Sequence, residues 1–443
     1  MPKKLNKIDI LALVIGSVIG WGAFYLPGQK FLTQSGVINT AIGFIIGWGL
    51  IYFVQVAYHV MMENHHDKGG EFSYVYKQLG RQHGFIVGWA LSFCYLTLIP
   101  LNASALSLVI KSLLPNFSYM YLYSIAGNPV FLSDLVISTS VIYCFYIINK
   151  KGISLSMTFQ KILILSLVAI VFLLTFLMVL KPEKSTFIQT YISHYQFDFG
   201  QIIQVLAIIP FLFVGFDIVP QVITDLGFDR KFATKMTILA TGFGVLIYNA
   251  LNVMTALAFT PQKAHTLTWA SGNAVYTHFG WLGFACLCLA LFAAIVGGIN
   301  GFMIGSSRVF ESLGCHGLLP DYFSKENEAS VPENALKFVT IISILMPFLG
   351  RMIILYIVDI SSLMAGLTYA YVSYISIKLA TSQKEKWLCF LGFLVGLLFI
   401  ILLVFPGSPS QLRPQSFAIL LIWILLGSFY FRKLNNYSTD KKC

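Results

Sequence analysis

The sequence predicts an all-α polytopic membrane protein of about twelve transmembrane helices, arranged as a 5+5 inverted repeat with helices 1 and 6 broken. Three observations carry this. Of 443 residues, 57% are apolar and only 11% are charged. Apolar runs long enough to cross a bilayer recur from end to end, which excludes a soluble enzyme. Two of the runs hold clustered Gly and Pro, five helices apart.

The runs place spans 1 to 12 at 9–31, 39–62, 84–114, 130–149, 156–181, 200–226, 234–260, 278–311, 334–355, 356–382, 386–406 and 414–433. A single transmembrane domain thus takes 1–443, with repeat one over about 9–181, repeat two over about 200–382 and two extra helices over about 386–433. Span 1 follows a short basic tail without a small-residue cleavage site, so it is expected to be a permanent span rather than a signal peptide.

Span 1 contains GSVIGWGAFYLP, residues 16–27, in which Gly16, Gly20 and Gly22 crowd together and Pro27 closes the run. Glycine weakens a helix interior, so this cluster predicts unwound backbone at membrane depth. Such backbone persists in lipid only where it lines a buried polar cavity, and a cavity of that kind binds something small. Span 6 repeats the device with Pro210, Gly215 and Pro220 in IIPFLFVGFDIVPQ. Proline inside a helix removes a hydrogen bond and clashes with the preceding turn. An odd number of helices per repeat inverts the second copy. One break reads as an ordinary kink; two at corresponding positions point to a secondary transporter with its site near the bilayer midplane.

The net charge of +11 would suit a nucleic-acid partner, but its distribution does not. Lys3, Lys4, Lys7, Lys150, Lys151, Arg230, Lys231, Lys384, Lys386, Arg432 and Lys433 gather on one side. Lys30, Lys111, Lys181, Lys184, Lys263, Arg351 and Arg413 fall outside or near the opposite face, and Lys161 lies within span 5. By the positive-inside rule both termini are cytoplasmic, and the excess charge reports topology rather than a ligand. The polar loops at about 63–83 and 312–333 then lie in the cytoplasm, the first with Phe72, Tyr74 and Tyr76 on a short amphipathic segment under the bundle. The external loops near 115–130 and 182–199 are too short for a soluble domain.

Cys94, Cys144, Cys286, Cys288, Cys315, Cys389 and Cys443 show no metal or disulfide spacing and read as small buried side chains. No nucleophile elbow or phosphate loop stands out, and the pair His65-His66 reads as a solvated loop. No cofactor is expected.

Four stretches carry a family resemblance. They are GSVIGWGAF (16–24); GGEFSYVYKQLGRQHGFIVGW (69–89), with Gly69, Gly70, Tyr74, Gly80, Gly84, Gly88 and Trp89 in register; FLFVGFD (211–217); and SSRVFESLGCHGLLPDYF (306–323), with Arg308, Gly317, Leu319 and Pro320. In this order and on these spans, the chain resembles the amino acid–polyamine–organocation (APC) permeases over nearly its whole length. The resemblance implies a leucine-transporter-like core, substrates that are amino acids or related amines, and alternating access in which spans 1 and 6 pivot against spans 3, 4, 8 and 9.

It also implies a site. The amides of Gly20, Trp21 and Gly22, at the N-terminus of the second half of span 1, would hold a carboxylate. The freed carbonyls of Val18, Phe211 and Val214 would hold an ammonium. Asn102 matches an asparagine near the substrate in an antiporter of the family, Phe302 matches a gating tryptophan there, and Phe211 replaces another tryptophan. Trp21 replaces a serine; its ring either stacks on a ligand cation or packs against the bundle.

Asp217 is the outstanding carboxylate at membrane depth and falls where that antiporter has a proton-sensing glutamate. Burial favours the neutral acid and a bound cation favours the anion, an antagonism that would couple proton release to amine binding. The other reading makes Asp217 a structural cap for the second half of span 6. Asp225 lies near the cytoplasmic end, where the family often has another acid.

Two departures limit the coupling chemistry. The helix 5 lysine of many proton-coupled members is Leu167 here, and Lys161 is out of register and lower in the helix. The hydroxyls that sodium-coupled relatives use in helix 8 are replaced by Ala293-Ala294-Ile295-Val296-Gly297-Gly298.

The expectation is therefore a plasma (inner) membrane permease for amino acids or related small organic amines, proton-coupled or exchanging. Its partners are a small-molecule substrate and the lipid bilayer, not nucleic acid. A polyamine or amine exchanger whose substrate lacks a carboxylate keeps the same fold, and Trp21 and Asp217 motivate it. A non-transporting sensor or channel has no feature in its favour.

Overall fold

A computed structural model describes residues 4–65, 67–114, 117–182, 184–193 and 195–435. Lys3, His66 and Cys443, named above, lie outside them. The described chain is almost wholly helical, with one two-stranded hairpin, Tyr121–Ile125 and Asn128–Phe131. Among the described residues nine helices are long and apolar enough to cross a membrane, or up to eleven spans if each of two bent pairs counts as one. The bent pairs are Lys7–Val18 with Gly22–Ser35, turned by 49°, and Phe199–Leu206 with Ile209–Asp225, turned by 42°. They fall on predicted spans 1 and 6. Predicted spans 9 and 10 form one apolar stretch, Glu333–Leu379, whose helix restarts at Gly350 after a turn. Span 8 starts at Ala270 rather than 278, because a short helix precedes a bend at Gly280.

The breaks are narrower than the Gly and Pro clusters predict. Gly16 sits inside the intact helix Lys7–Val18. A Cβ there would run into the Gln160 amide, so this glycine serves close packing rather than unwinding. Only residues 19–21 leave the helix, with Ile19 extended at φ −94°, ψ 98°. Pro27 does not close the run. The helix Gly22–Leu26 runs straight through it into a wide-turned π-helical segment, Pro27–Ser35. In span 6, Pro210 lies in the first turn of Ile209–Phe213, and Pro220 sits within a 3-10 segment, Phe216–Asp225. The 42° bend falls at 207–208, and the helix opens again at 214–215, where Gly215 has a φ of 122° that L side chains avoid. A Cβ on Gly215 would also stand 2.6 Å from the Ser17 Cβ. The two broken spans therefore touch backbone to backbone.

Loops sort onto two faces. On one, Leu5 N–H donates to Asp225 O at 2.8 Å, Lys150 Nζ pairs with Glu333 Oε1 at 2.7 Å, and Arg308 meets Asp225 and Glu326. The helix Gly70–Leu79 lies under this face with Phe72 and Tyr74 buried, as its amphipathic pattern predicts. On the far face, Tyr123 of the hairpin donates to Phe348 O at 2.7 Å and Lys181 to His278 O at 2.7 Å.

The outer flanks are apolar: Ile162, Leu165, Leu173, Phe176 and Leu180 leave one side of Ile153–Leu180 exposed. In water such a stripe would be a liability; in a bilayer it is the surface hydrocarbon covers. Helix Gln383–Val404 packs through small residues instead. A Cβ on Gly392 would stand 2.8 Å from Phe53 O, and one on Gly396 2.6 Å from Ala370 N. Gly396→Val is expected to destabilise the protein by about 1–3 kcal/mol through overpacking. Gly49→Ala, with open space at its Cβ, should not. Thermal unfolding in detergent checks both; equal midpoints would contradict this packing.

Candidate functional site

The meeting of the two breaks encloses a cavity of about 30 Å³. Val18, Gly20, Trp21, Gly22, Asn102, Phe211, Val214 and Phe302, the residues expected around the substrate, all line it. The volume is roughly one water molecule's share, so the walls must part to take a solute.

Its polar groups are few and incompletely paired. Among the described residues the amides of Gly20, Trp21 and Gly22 donate to no acceptor. They stand where a helix begins, so their dipoles favour an anion. The Trp21 Nε1 donor is buried without a partner, and so is the Asn102 Oδ1 acceptor. Asn102 is positioned by its own Nδ2, which donates to Leu98 O at 2.9 Å. A Cβ on Gly20 would lie 3.1 Å from that unpaired Oδ1. The carbonyl of Val18 is partly committed, accepting from the Tyr248 hydroxyl at 3.2 Å. The cavity wall carries no charged side chain among the described residues.

Asp217 does not line this cavity. It is fully buried one step deeper, with Oδ1 accepting from Gly215 N–H at 2.7 Å and Oδ2 unpaired. One oxygen thus does the capping work of the structural reading, and the other is left free. The Tyr95 hydroxyl donates to the Asp217 carbonyl at 3.1 Å, and the Tyr95 and Phe302 rings lie 6.0 Å apart.

Several residues of the site escaped the sequence reading. Tyr248 and Leu98, Leu101 and Leu212 line the cavity and carry no signal in a chain so rich in aromatic and apolar residues. Glu71 is fully buried and accepts from Gln221 Nε2. Burial first, and the Asp217 carboxyl next, push the Glu71 carboxyl well above the usual carboxylate range. An acid directly after Gly69-Gly70 was the available signal.

Gln160 was also missed. Its Nε2 donates to Ala12 O at 3.3 Å and Gly297 O at 3.2 Å, and its Oε1 accepts from Asn300 Nδ2 at 3.0 Å. This amide ties spans 1, 5 and 8 together. Lys161, its neighbour, pairs instead with Asp9 at 2.8 Å near the basic end of the helix, and Leu167 is buried.

The cavity is flanked on both sides. Toward the N-terminal face, Arg308 bonds Asp225 at 3.1 Å, Glu311 at 3.0 Å and Glu326 at 3.3 Å, and Lys68 joins Glu311 at 3.2 Å and Glu326. Toward the far face, Trp21 and Phe211 separate it from a larger cavity of about 320 Å³ lined by Lys30, Asp359, Ser410 and Arg413. Gly20→Val is expected to abolish binding of a small solute by filling the space before Asn102, whereas Gly22→Ala, whose Cβ makes only ordinary contact with Leu26 at 3.4 Å, should keep it. Ligand-induced thermal shifts compare the two; a normal shift in Gly20→Val would move the ligand elsewhere.

Comparison with known proteins agrees with this architecture. A family model described as amino acid permease matches residues 5–429. The branched-chain amino acid permease BcaP of Lactococcus lactis subsp. cremoris is 25% identical over 77% of this chain and 74% of its own length. The methylthioribose transporter of Bacillus subtilis is 22% identical over 73% of this chain and 70% of its own. The Asc-type amino acid transporter 1 of Mus musculus is 22% identical over 73% of this chain and 60% of its own. These relatives are transporters, not enzymes. With a family model covering nearly its whole length, this multi-pass membrane chain belongs to the amino acid permeases of the APC superfamily.

Proposed function

We propose that the chain is a secondary transporter that binds an amino acid at the junction of its two broken spans and carries it across the plasma membrane by alternating access. The observation that carries this reading is the mismatch of polar atoms in one cavity. Three helix-start amides and Trp21 Nε1 lack acceptors, and Asn102 Oδ1 lacks a donor. Unpaired buried groups of both kinds are costly, and a zwitterion satisfies both at once. An amine without a carboxylate would leave the donors bare. The names of two relatives, a branched-chain permease and an Asc-type amino acid transporter, support the same class.

In this reading Glu333–Leu379 is two spans. Glu333 sits on the N-terminal face beside Lys150, Phe348 on the far face beside Tyr123, and Ser376 back beside Ala57. That brings the total to twelve, with repeats of five over about 9–181 and 200–382, and both termini cytoplasmic by the charge bias. The ion cluster around Arg308 is the closed cytoplasmic gate, and Trp21 with Phe211 is the outer one.

Asp217 is the proton site, with Glu71 as its neighbour; the alternative is exchange without a proton. Uptake or counterflow in liposomes holding the purified protein tests the function, and no transport across a broad amino-acid panel would overturn it. Asp217→Asn is expected to fold and to flatten the pH profile of transport. An unchanged profile would remove Asp217 from the coupling and leave exchange.

A further inference from the structure

Arg351 is a cation in a poor place. It is the second residue of the helix Gly350–Leu379, at the positive end of the helix dipole, where a positive side chain gains nothing. Among the described residues no carboxylate lies within ion-pairing distance of it. Its guanidinium instead accepts the face of Trp21, 4.7 Å from the ring centre, while Nη1 donates to Ser104 Oγ at 2.7 Å. Guanidinium stacks well on aromatic faces, and a hydroxyl fixes its direction without cancelling its charge.

Trp21 is also the wall shared by the small cavity and the larger far-face cavity. Lys30 and Arg413 line the far-face cavity with one acid, Asp359, already bonded to Arg413 at 3.3 Å, while Arg351 lines neither cavity and reaches the wall through the Trp21 ring. The small cavity itself has no charged wall residue among the described residues to offset this balance. A solute passing Trp21 therefore meets a positive balance, screened by water at exposed Arg413 and less so at half-buried Arg351 and Lys30.

We infer that Arg351 is a specificity-determining residue: stacked on Trp21, it is the protein's own cation at the partition, admitting zwitterionic amino acids and repelling amines that lack a carboxylate. The inference rests on the transporter reading above and narrows its substrate class. It also assigns the Trp21 ring, since the cation on one of its faces belongs to the protein.

The test uses liposomes with the full-length protein and three matched pairs: L-alanine and ethylamine, L-leucine and 3-methylbutylamine, L-lysine and cadaverine. The wild type is expected to transport at least one of the three amino acids and to exclude its decarboxylated partner. Arg351→Gln should narrow that preference by about tenfold or more, the effect of one unit charge at short range in a poorly screened site. Arg351→Lys keeps the charge and should keep the preference. Ser104→Asp places an acid against the guanidinium and should mimic Arg351→Gln without removing it, which keeps the test decisive if that variant fails to fold. Transport of no amino acid by the wild type overturns the transporter reading and this inference with it. Amino-acid transport with amines carried equally well, or with a preference that neither Arg351→Gln nor Ser104→Asp reduces, overturns this inference alone.

Discussion

Inside a bilayer every amide and carbonyl that leaves the helical ladder must find another partner, because hydrocarbon offers none. In this protein the ladder opens at residues 19–21 and again around Gly215, and each opening is tolerable only because the other is there. Gly215 lies against Ser17 with no room for a side chain, and Gly301 from the long helix Ala270–Cys315 closes on Ser17 from another side. Tyr248 reaches one freed carbonyl, Val18 O, and the Asp217 side chain reaches one freed amide, Gly215 N–H. The amides of Gly20, Trp21 and Gly22, which stay unpaired, belong to residues that line the cavity.

In the proposed mechanism the two seals of that cavity differ in kind. Toward the N-terminal face the seal is ionic, a buried Arg308 among three carboxylates with Lys68 alongside. Such a cluster is held or lost as a unit, since removing one member strands a buried charge on the others. In it burial works to raise the Glu326 carboxyl, but Lys68, with Glu311 and Arg308, holds it below the usual carboxylate range. Toward the far face the seal is aromatic, Trp21 and Phe211, and depends on packing rather than on charge pairs. Span 6 contributes to both, with Asp225 in the ion cluster and Phe211 in the aromatic wall.

Legibility followed the kind of signal. Where the cavity is lined by opened main chain, helix breakers leave a mark in the sequence: Gly20 and Gly22 both line it. The finer use of those marks was not legible. Gly16 and Gly20 both read as unwinding residues, yet Gly16 makes room for Gln160 and only Gly20 lies in the break. Pro27 reads as a stop, yet the helical run continues through it, its fixed φ being compatible with helix, into a π-helical segment. Gln160, Asn300 and Glu71 are single polar residues in apolar or loop surroundings, and nothing local says that they meet spans far away in the chain.

By itself the sequence determined that the chain is a multi-pass membrane protein and where its pair of interruptions falls. These depend on run length, charge bias and local backbone preference, which act within one segment of chain. Only the tertiary structure decided what touches what across spans. It put Arg351 on Trp21, paired Lys161 with Asp9 and left Asp217 behind the cavity wall rather than on it. Those outcomes depend on side chains hundreds of positions apart sharing one small volume, a property that the packing of the whole bundle creates.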